Sequence, residues 1–464
     1  MIPFQLKSLS ELAGGVLKGD DITINAVATD SRKTAGALFI ALIGERFDGH
    51  DFLEQAIANG ATALGVSKDL DSTLVKLCQD KHIAVLKCSD TLRLLGLAGK
   101  MVRKASKALV VSLTGSCGKT TVKELTALIL SRKGKTLATA GNFNNDVGVP
   151  LTLLNLEADT EYAVIEQGAS HPQDIARTCE FVCSQVALIN NAGSAHIEGF
   201  GSLEGVYRGK SEILQDVFSS GGIGIVPSDS VWIESWKKDF KDEYEAGRLL
   251  TFGTHDNDFV KVSNIKTSLA SVSCTIKALD HEFDVKLPLL GAHNAMNAAA
   301  ACALALKGGA DISSLKEGLM SYKPMAGRLC VKQFNGFTLI DDAYNASFNS
   351  VIAALDVLSQ GQGRRIFIFG DMGELGIEAQ SLHEQVGTHA KNCVDELWCL
   401  GSLSRYTCQA FGDKAVHFDS HEELIKAALD IVSSSQYASF LVKGSHAMHM
   451  DLVNNALIKS GETL

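Results

Sequence analysis

Two hydrophobic patterns take turns along this chain. Short continuous apolar runs, at residues 109–111, 162–165 and 186–189, carry the β-branched residues of strands buried on both faces. Between them apolar positions return every three or four residues, as in Val122, Leu125, Leu128 and Ile129, the spacing of one helix face. The same spacing predicts a helix over residues 202–218 and an alanine-rich one over 291–306. Glycine, asparagine and aspartate gather where the apolar runs stop. Strand, polar turn and helix in succession predict an α/β protein with mostly parallel sheets, whose polar turns collect at one sheet edge.

The succession breaks twice. Residues 1–100 hold short elements only: a helix over 8–17, strands over 37–42 and 61–66, and a helix over 52–59 stopped by Gly60. They predict a small α/β N-terminal domain. Residues 101–323 carry the longer runs and predict a central domain. Around Pro324 and Gly327, residues suited to a linker, the pattern restarts. Strands at 337–340, 365–369, 396–400 and 439–442 alternate with helices at 347–358, 380–392, 422–432 and 446–457. Residues 324–464 therefore predict a third, doubly wound Rossmann-like domain.

The polar turns carry the candidate chemistry. The first strand of the central domain leads into GSCGKTT, which is Gly115, Ser116, Cys117, Gly118, Lys119, Thr120 and Thr121, and a helix follows. Backbone N–H groups at such a turn converge on phosphate oxygens, Lys119 reaches the β- and γ-phosphates, and Thr120 offers an oxygen to Mg²⁺. Only two residues separate Gly115 from the GK dipeptide, where the usual phosphate loop has four. A structural turn is the competing reading, and the strand and amphipathic helix around the loop favour nucleotide. Glu166 ends a neighbouring strand, where α/β nucleotide sites place a Mg²⁺ ligand; a helix-capping acid is the alternative. GNFNNDVG (141–148) offers amide donors and acceptors, and Asn294 and Asn297, three apart, can form paired hydrogen bonds to an adenine edge. TDSR (29–32) and GERFDGHDF (44–52) suit a sugar, base or diphosphate and suit capped turns with surface ion pairs equally well. His196 in a strand-end loop and Lys210 in the next helix claim no role on their own. In the third domain DDAYNA (341–346), GDMGELG (370–376) and KGS (443–445) stand at strand ends; GDMGELG does not match a dinucleotide fingerprint.

Composition narrows the partners. A formal charge of -10 over 464 residues disfavours a nucleic acid, so any anionic ligand must be met by local cations and helix ends. The 11 cysteines are scattered without a CxxC pair, as free thiols in a reducing compartment would be. With no basic-then-apolar leader pattern and no membrane-length apolar run, the expected compartment is the cytoplasm and no membrane insertion is expected.

Taken in order, these motifs resemble the Mur ligase family over essentially the full length. TGSCGKTT is similar to the family's TGTxGKT loop, which accounts for the short glycine spacing. TDSR with LFIALIGERFDGHDF, GNFNND with GVPLTLL, AHIEGFGS, GxHNxxN, DDAYNA, GDMGELG and VKGS follow, the third-domain signatures resembling the dipeptide-adding branch. The resemblance implies three domains: one that binds a UDP-substrate (1–100), one that binds ATP (101–323) and a Rossmann-like third (324–464). It implies that ATP phosphorylates the terminal carboxylate of UDP-MurNAc-tripeptide and that the amine of D-Ala-D-Ala attacks the acyl phosphate. The resulting amide belongs to peptidoglycan precursor synthesis.

By the same resemblance Thr120 and Glu166 hold one Mg²⁺. His196 and a carbamylated Lys210 serve a second, and Arg328 lies near the γ-phosphate. Asn294, Asn297 and Asn142 meet adenine, and Asp342 the ribose. Ser31, Arg32, Arg46 and His50 meet the uridine diphosphate, Ser170 and His171 the muramoyl-peptide, and Lys443 and Ser445 the substrate side of the third domain. The expected state is a monomer. The chain departs from KGSR at His446, a weaker anion partner near neutral pH than arginine. Other amide ligases of the superfamily, of folylpolyglutamate type, and a regulatory phosphate-loop ATPase are the alternative readings.

Overall fold

The computed structural model describes residues 1–323, 327, 329–434 and 436–463, and its strands form three main sheets, one in each predicted domain. In the first, Val27–Ala28, Leu38–Ile40, Ala63–Val66 and Ala84–Lys87 are parallel and Val16–Lys18 pairs antiparallel at the edge. The first helix is Leu6–Leu12, shorter than predicted, because Gly14 takes φ +59 and turns the chain into the edge strand. The helix Thr91–Ala105 starts at Asp90, whose carboxylate accepts from the N–H groups of Leu92 and Arg93. Its Leu94, Leu95, Ala98 and Val102 share one core with Val149, Leu153, Phe181 and Val182 of the central domain. A boundary drawn at residue 100 thus falls inside a helix that joins the two domains.

Nine strands build the central sheet. From one edge they run His281–Leu287, Val272–Ala278, Val260–Thr267, Leu249–Gly253, Ile223–Pro227, Val186–Ile189, Leu109–Thr114, Tyr162–Glu166 and Thr136–Ala138. The last seven are parallel, and the first two extend the sheet through antiparallel pairings. From Leu109–Thr114 the chain goes out to Thr136–Ala138, returns to Tyr162–Glu166, then crosses to Val186–Ile189. The order reverses at Leu109–Thr114, and the loops after all three neighbouring strands open on one edge. The alanine-rich helix His293–Lys307 lies behind the sheet with Ala295, Ala298, Ala299, Ala300, Ala301, Ala303 and Ala305 fully buried. Small side chains let it approach both the sheet and the helix Lys119–Leu130.

In the third domain the order is Cys330–Phe334, Phe337–Asp342, Ala438–Lys443, Arg364–Gly370, Glu396–Leu400, Ala415–Phe418, all parallel except the first pair. The last helix is Asp451–Thr463 rather than 446–457, since His449 at φ +48 interrupts helical geometry after a short turn at His446–Met448. Pro324 and Arg328 lie outside the described residues. Among the described residues no helix is long and apolar enough to cross a membrane.

Candidate active site

The loop between Leu109–Thr114 and Lys119–Leu130 is held by the neighbouring strand. Asn191 Oδ1 accepts from the Cys117 N–H at 2.9 Å, and Asn190 and Asn191 Nδ2 each donate to the Cys117 carbonyl at 3.0 Å. Ser116 Oγ donates to the Gly193 carbonyl at 2.9 Å. Gly118 sits at φ +76, and a Cβ there would lie 2.6 Å from both Asn190 Nδ2 and Asn297 Oδ1, so only glycine fits. Lys119 curls back over this cradle and donates to the Gly115 carbonyl at 2.7 Å.

Asn294 and Asn297 share a helix face as their spacing predicts, but they face inward. Asn297 Nδ2 donates to Asn294 Oδ1 at 2.8 Å, Asn294 Nδ2 donates to the Leu290 carbonyl at 2.7 Å, and Asn297 Oδ1 accepts from Asn190 at 2.9 Å. Both are buried, so this amide relay ties the alanine-rich helix to the phosphate loop. Their expected paired contact with adenine is corrected to that extent, because buried amides satisfy the nearest partners first. Asn142 is exposed on its loop, whereas Asn144 donates to Glu166 Oε1 at 2.8 Å.

Glu166 faces the cradle from the adjacent strand. Its N–H donates to Thr139 Oγ1 at 2.9 Å, while Oε2 is buried without a hydrogen-bond partner among the described residues, as is Thr114 Oγ1. Thr120 is also buried. Orphaned buried oxygens beside a phosphate loop make a donor set that fits a hard cation such as Mg²⁺. Lys210, fully buried in the helix Leu203–Ser219, has no hydrogen-bond partner for Nζ among the described residues, and Nζ stands 5.7 Å from the Phe200 ring centroid. Burial, with the charge of Lys119 adding to it, pushes its amine down to about 7.

His196, at φ +58, meets the Glu374 carboxylate of the third domain through Nδ1, with Ser170 Oγ 3.4 Å away. That bond holds the Glu374 carboxyl below its usual range. His171 is exposed, and its N–H and that of Ser170 donate to Asp174 Oδ2, both at 2.8 Å. Asn144 belongs to the GNFNNDVG loop, whereas Glu374, Asn190 and Asn191 escape sequence reasoning. GDMGELG and the double asparagine are visible as polar strand ends, but their partners come from other strands, 178 residues away for Glu374.

In the third domain the register places Asp342 opposite Lys443. The buried Lys443 Nζ donates to Asp342 Oδ2 at 2.6 Å and to the Asn345 carbonyl at 2.8 Å. These two residues, expected at separate ligand groups, neutralise each other. The Ser445 N–H donates to the Asp371 carbonyl at 2.9 Å, and His446 is exposed, edge-on to Tyr344 at 6.1 Å.

In the N-terminal domain Ser31 Oγ donates to Gln55 Oε1 at 2.7 Å, Arg32 pairs on the surface with Asp30, and Arg46 is exposed. His50 is a correction. Its Nε2 accepts from the Ser67 N–H at 3.0 Å, which leaves the proton on Nδ1, 2.6 Å from Asp48 Oδ1. With both nitrogens engaged and the ring 7% exposed, it braces a turn instead of meeting a diphosphate. His50→Ala is expected to destabilise the chain by about 1–3 kcal/mol in urea unfolding while the KM for the nucleotide substrate stays unchanged; a raised KM with unchanged stability would return His50 to the binding site.

Residues 23–97 match the Mur ligase family, catalytic domain; 113–305 match the Mur ligase middle domain; 327–446 match the Mur ligase, glutamate ligase domain. The UDP-N-acetylmuramoyl-tripeptide–D-alanyl-D-alanine ligase of Escherichia coli (strain K12) is 41% identical over 99% of this chain and 100% of its own length. The crystal structure of MurF from Acinetobacter baumannii superposes with a TM-score of 0.90 at 33% identity, covering 99% of both chains. MurF ligase from Thermotoga maritima, solved in complex with ADP, gives 0.80 at 27% identity over 94% of this chain and 98% of that one. With three domain matches in order and relatives aligned from end to end, this chain belongs to the Mur ligase family.

Proposed function

We propose that this chain is the ATP-dependent ligase that joins D-alanyl-D-alanine to UDP-MurNAc-tripeptide. The observation that carries the reading is the end-to-end identity with a ligase so named, on a chain that keeps the phosphate loop, Glu166, His196 and Lys210. ATP loses its γ-phosphoryl to the terminal carboxylate of the tripeptide, so an oxygen–phosphorus bond forms as the bond to ADP breaks. The amine of D-Ala-D-Ala then attacks the acyl carbon, loses a proton, and the tetrahedral intermediate expels phosphate.

Between two anions this chemistry is a matter of positioning and charge neutralisation. The N–H groups of residues 115–121 cradle the phosphates, and Lys119 exchanges the Gly115 carbonyl for β- and γ-oxygens. Thr120 and Glu166 would hold one Mg²⁺, and His196 with Lys210 a second; bound there, the ions neutralise phosphate and carboxylate oxygens. A neutral Lys210 amine can take up CO2 and release a proton, turning a repelled cation into an oxygen donor, which supports the carbamate assignment. Asn294 and Asn297 act on adenine by keeping the loop beneath it in place, with Asn142 at the loop rim, and Asp342 and Arg328 approach from the third domain. Ser31, Arg32 and Arg46 take the uridine diphosphate, Ser170 and His171 the muramoyl-peptide, and Lys443 and Ser445 frame the dipeptide side. The Glu374 to His196 contact supports closure of the third domain over the site, which keeps water from the acyl phosphate. The nucleotide substrates fit the cytoplasm, and a monomer is the expected state.

The test is phosphate release with Mg-ATP and UDP-MurNAc-tripeptide, with and without D-Ala-D-Ala, and the mass of the product. Release that needs both substrates and yields the pentapeptide is expected. Release indifferent to the dipeptide would redirect the assignment to another acceptor, as in ligases of folylpolyglutamate type, or to a regulatory ATPase.

A further inference from the structure

Away from the nucleotide edge, two helices of the third domain bring three side chains of different chemistry to one point. Asp356 projects from the helix Phe348–Leu358. His389 sits in the last turn of Ala379–Ala390, and Cys393 follows it at the i+4 position, just past the helix end. A carboxylate oxygen, an imidazole nitrogen and the thiol sulfur all lie within 4.8 Å of one another. We infer that Asp356, His389 and Cys393 form a binding site for a borderline divalent metal ion of the zinc class, unrelated to the Mg²⁺ chemistry of ligation.

The donor set selects that class. Thiolate with imidazole suits zinc, cobalt or copper and is a poor match for Mg²⁺. Three protein ligands leave a fourth position for water, and the side chain of Asp356 is 61% exposed, so that position opens to solvent. Zinc bonds of about 2.0–2.3 Å in a tetrahedron require ligand atoms about 3.3–3.6 Å apart. The His389 Nε2 to Asp356 Oδ1 separation is now 2.8 Å, a hydrogen bond that a metal would open by replacing its proton. Cys393 is buried at 5% exposure, which shields a metal–sulfur bond from exchange. Burial and the charge of Asp356 push its thiol up, while Arg365, fixed on Asp395 by bonds of 2.9 and 3.1 Å, pulls it down. A bound cation acts in the same sense as Arg365 and displaces the thiol proton.

The site would cross-link two helices that pack on the same face of the third-domain sheet. One of them also touches the nucleotide domain: a Cβ built on Gly291 would lie 3.5 Å from Val357 Cγ2, next to Asp356. A metal there stiffens the helix that seats this domain on its neighbour, without supplying a group to the reaction.

Co²⁺ tests the assignment, because its thiolate complexes absorb in the near ultraviolet. Chelator-treated full-length protein, held in excess Mg²⁺ to occupy oxygen-only sites, is titrated with Co²⁺. One equivalent is expected to bind with a thiolate charge-transfer band, and one equivalent of Zn²⁺ is expected to displace it. Cys393→Ser should abolish the band. His389→Gln, and Asp356→Asn at an exposed helix position that carries no risk to folding, should weaken Co²⁺ at least about tenfold. Turnover with Mg-ATP should be unchanged in all three. Absence of the band, a band that survives Cys393→Ser, or Co²⁺ affinity unaltered by Asp356→Asn would each overturn the proposal.

Discussion

Lys119→Ala is expected to lower turnover by at least about 10³-fold, the scale of losing a fixed cation on a transferring phosphoryl group. The lysine heads the helix behind the phosphate loop, and its amine, donating 2.7 Å to the Gly115 carbonyl, is already poised over the cradle that Asn190 and Asn191 brace. No other lysine or arginine lies in the loop itself. The fold should hardly notice the change: a hydrogen bond of this kind contributes about 0.5–1.5 kcal/mol, and the loop keeps its asparagine contacts. The measurement is kcat for phosphate release alongside thermal unfolding. Near wild-type kcat would reject the role of Lys119 in neutralising phosphate, and collapse of Tm would mean that the lysine is chiefly structural.

Lys210→Met should do the opposite to stability and the same to activity. In the unfolded chain this amine has its ordinary value of 10.5, whereas burial pushes it down to about 7 in the fold. Between these values the unfolded chain binds a proton that the folded chain does not, so the lysine costs stability, and the cost is relieved as pH rises from 7 toward 10.5. Below about 7 the folded chain carries the buried charge and the full penalty remains. A depression of this size corresponds to about 5 kcal/mol, so methionine should stabilise the protein by about 2–5 kcal/mol at pH 7, less at pH 10. Unfolding in CO2-free buffer at the two pH values measures this. Turnover should fall by at least about 10²-fold, and in Lys210→Ala a small carboxylate that enters the vacated space should restore part of it. A methionine variant that is active, or less stable at pH 7 than the parent, would remove Lys210 from the functional site.

A buried lysine amine without a hydrogen-bond partner among the described residues, kept at a cost to stability, fits the role proposed for Lys210. The Glu166 carboxylate oxygen and the neutral Thr114 hydroxyl, also without partners among the described residues, fit the proposed cation site in the same way. By contrast, the buried Lys443 amine donates to Asp342, so the fold already meets its charge. Burial alone does not separate these cases. The hydrogen-bond partners do.

Periodicity and turn chemistry were enough to read most of the architecture. Continuous apolar runs are the signature of strands covered on both faces, and Val186–Ile189 and Glu396–Leu400 fall where the runs lie. The alanine run of His293–Lys307 announced close packing because no larger side chain fits there. The reading slipped where local pattern is weakest. The four-residue strand Ala415–Phe418 is too short and too exposed to stand out, and nothing in the apolar spacing marks the turn at Gly14 that separates Val16–Lys18 from the first helix.

By itself the sequence determined most of the strand and helix order, the three domains, the phosphate loop and the identity of its lysine, since each depends on residues close together in the chain. Tertiary structure alone decided which polar groups meet. Asn190 with Asn297, His196 with Glu374, and Lys443 with Asp342 are separated by 107, 178 and 101 residues, and their pairing follows from strand order and domain packing. Tertiary structure likewise left the Lys210 amine without a hydrogen-bond partner among the described residues and gave His50 two partners. Whether a polar side chain is available to a ligand depends on what the fold has already given it, and no local pattern records that.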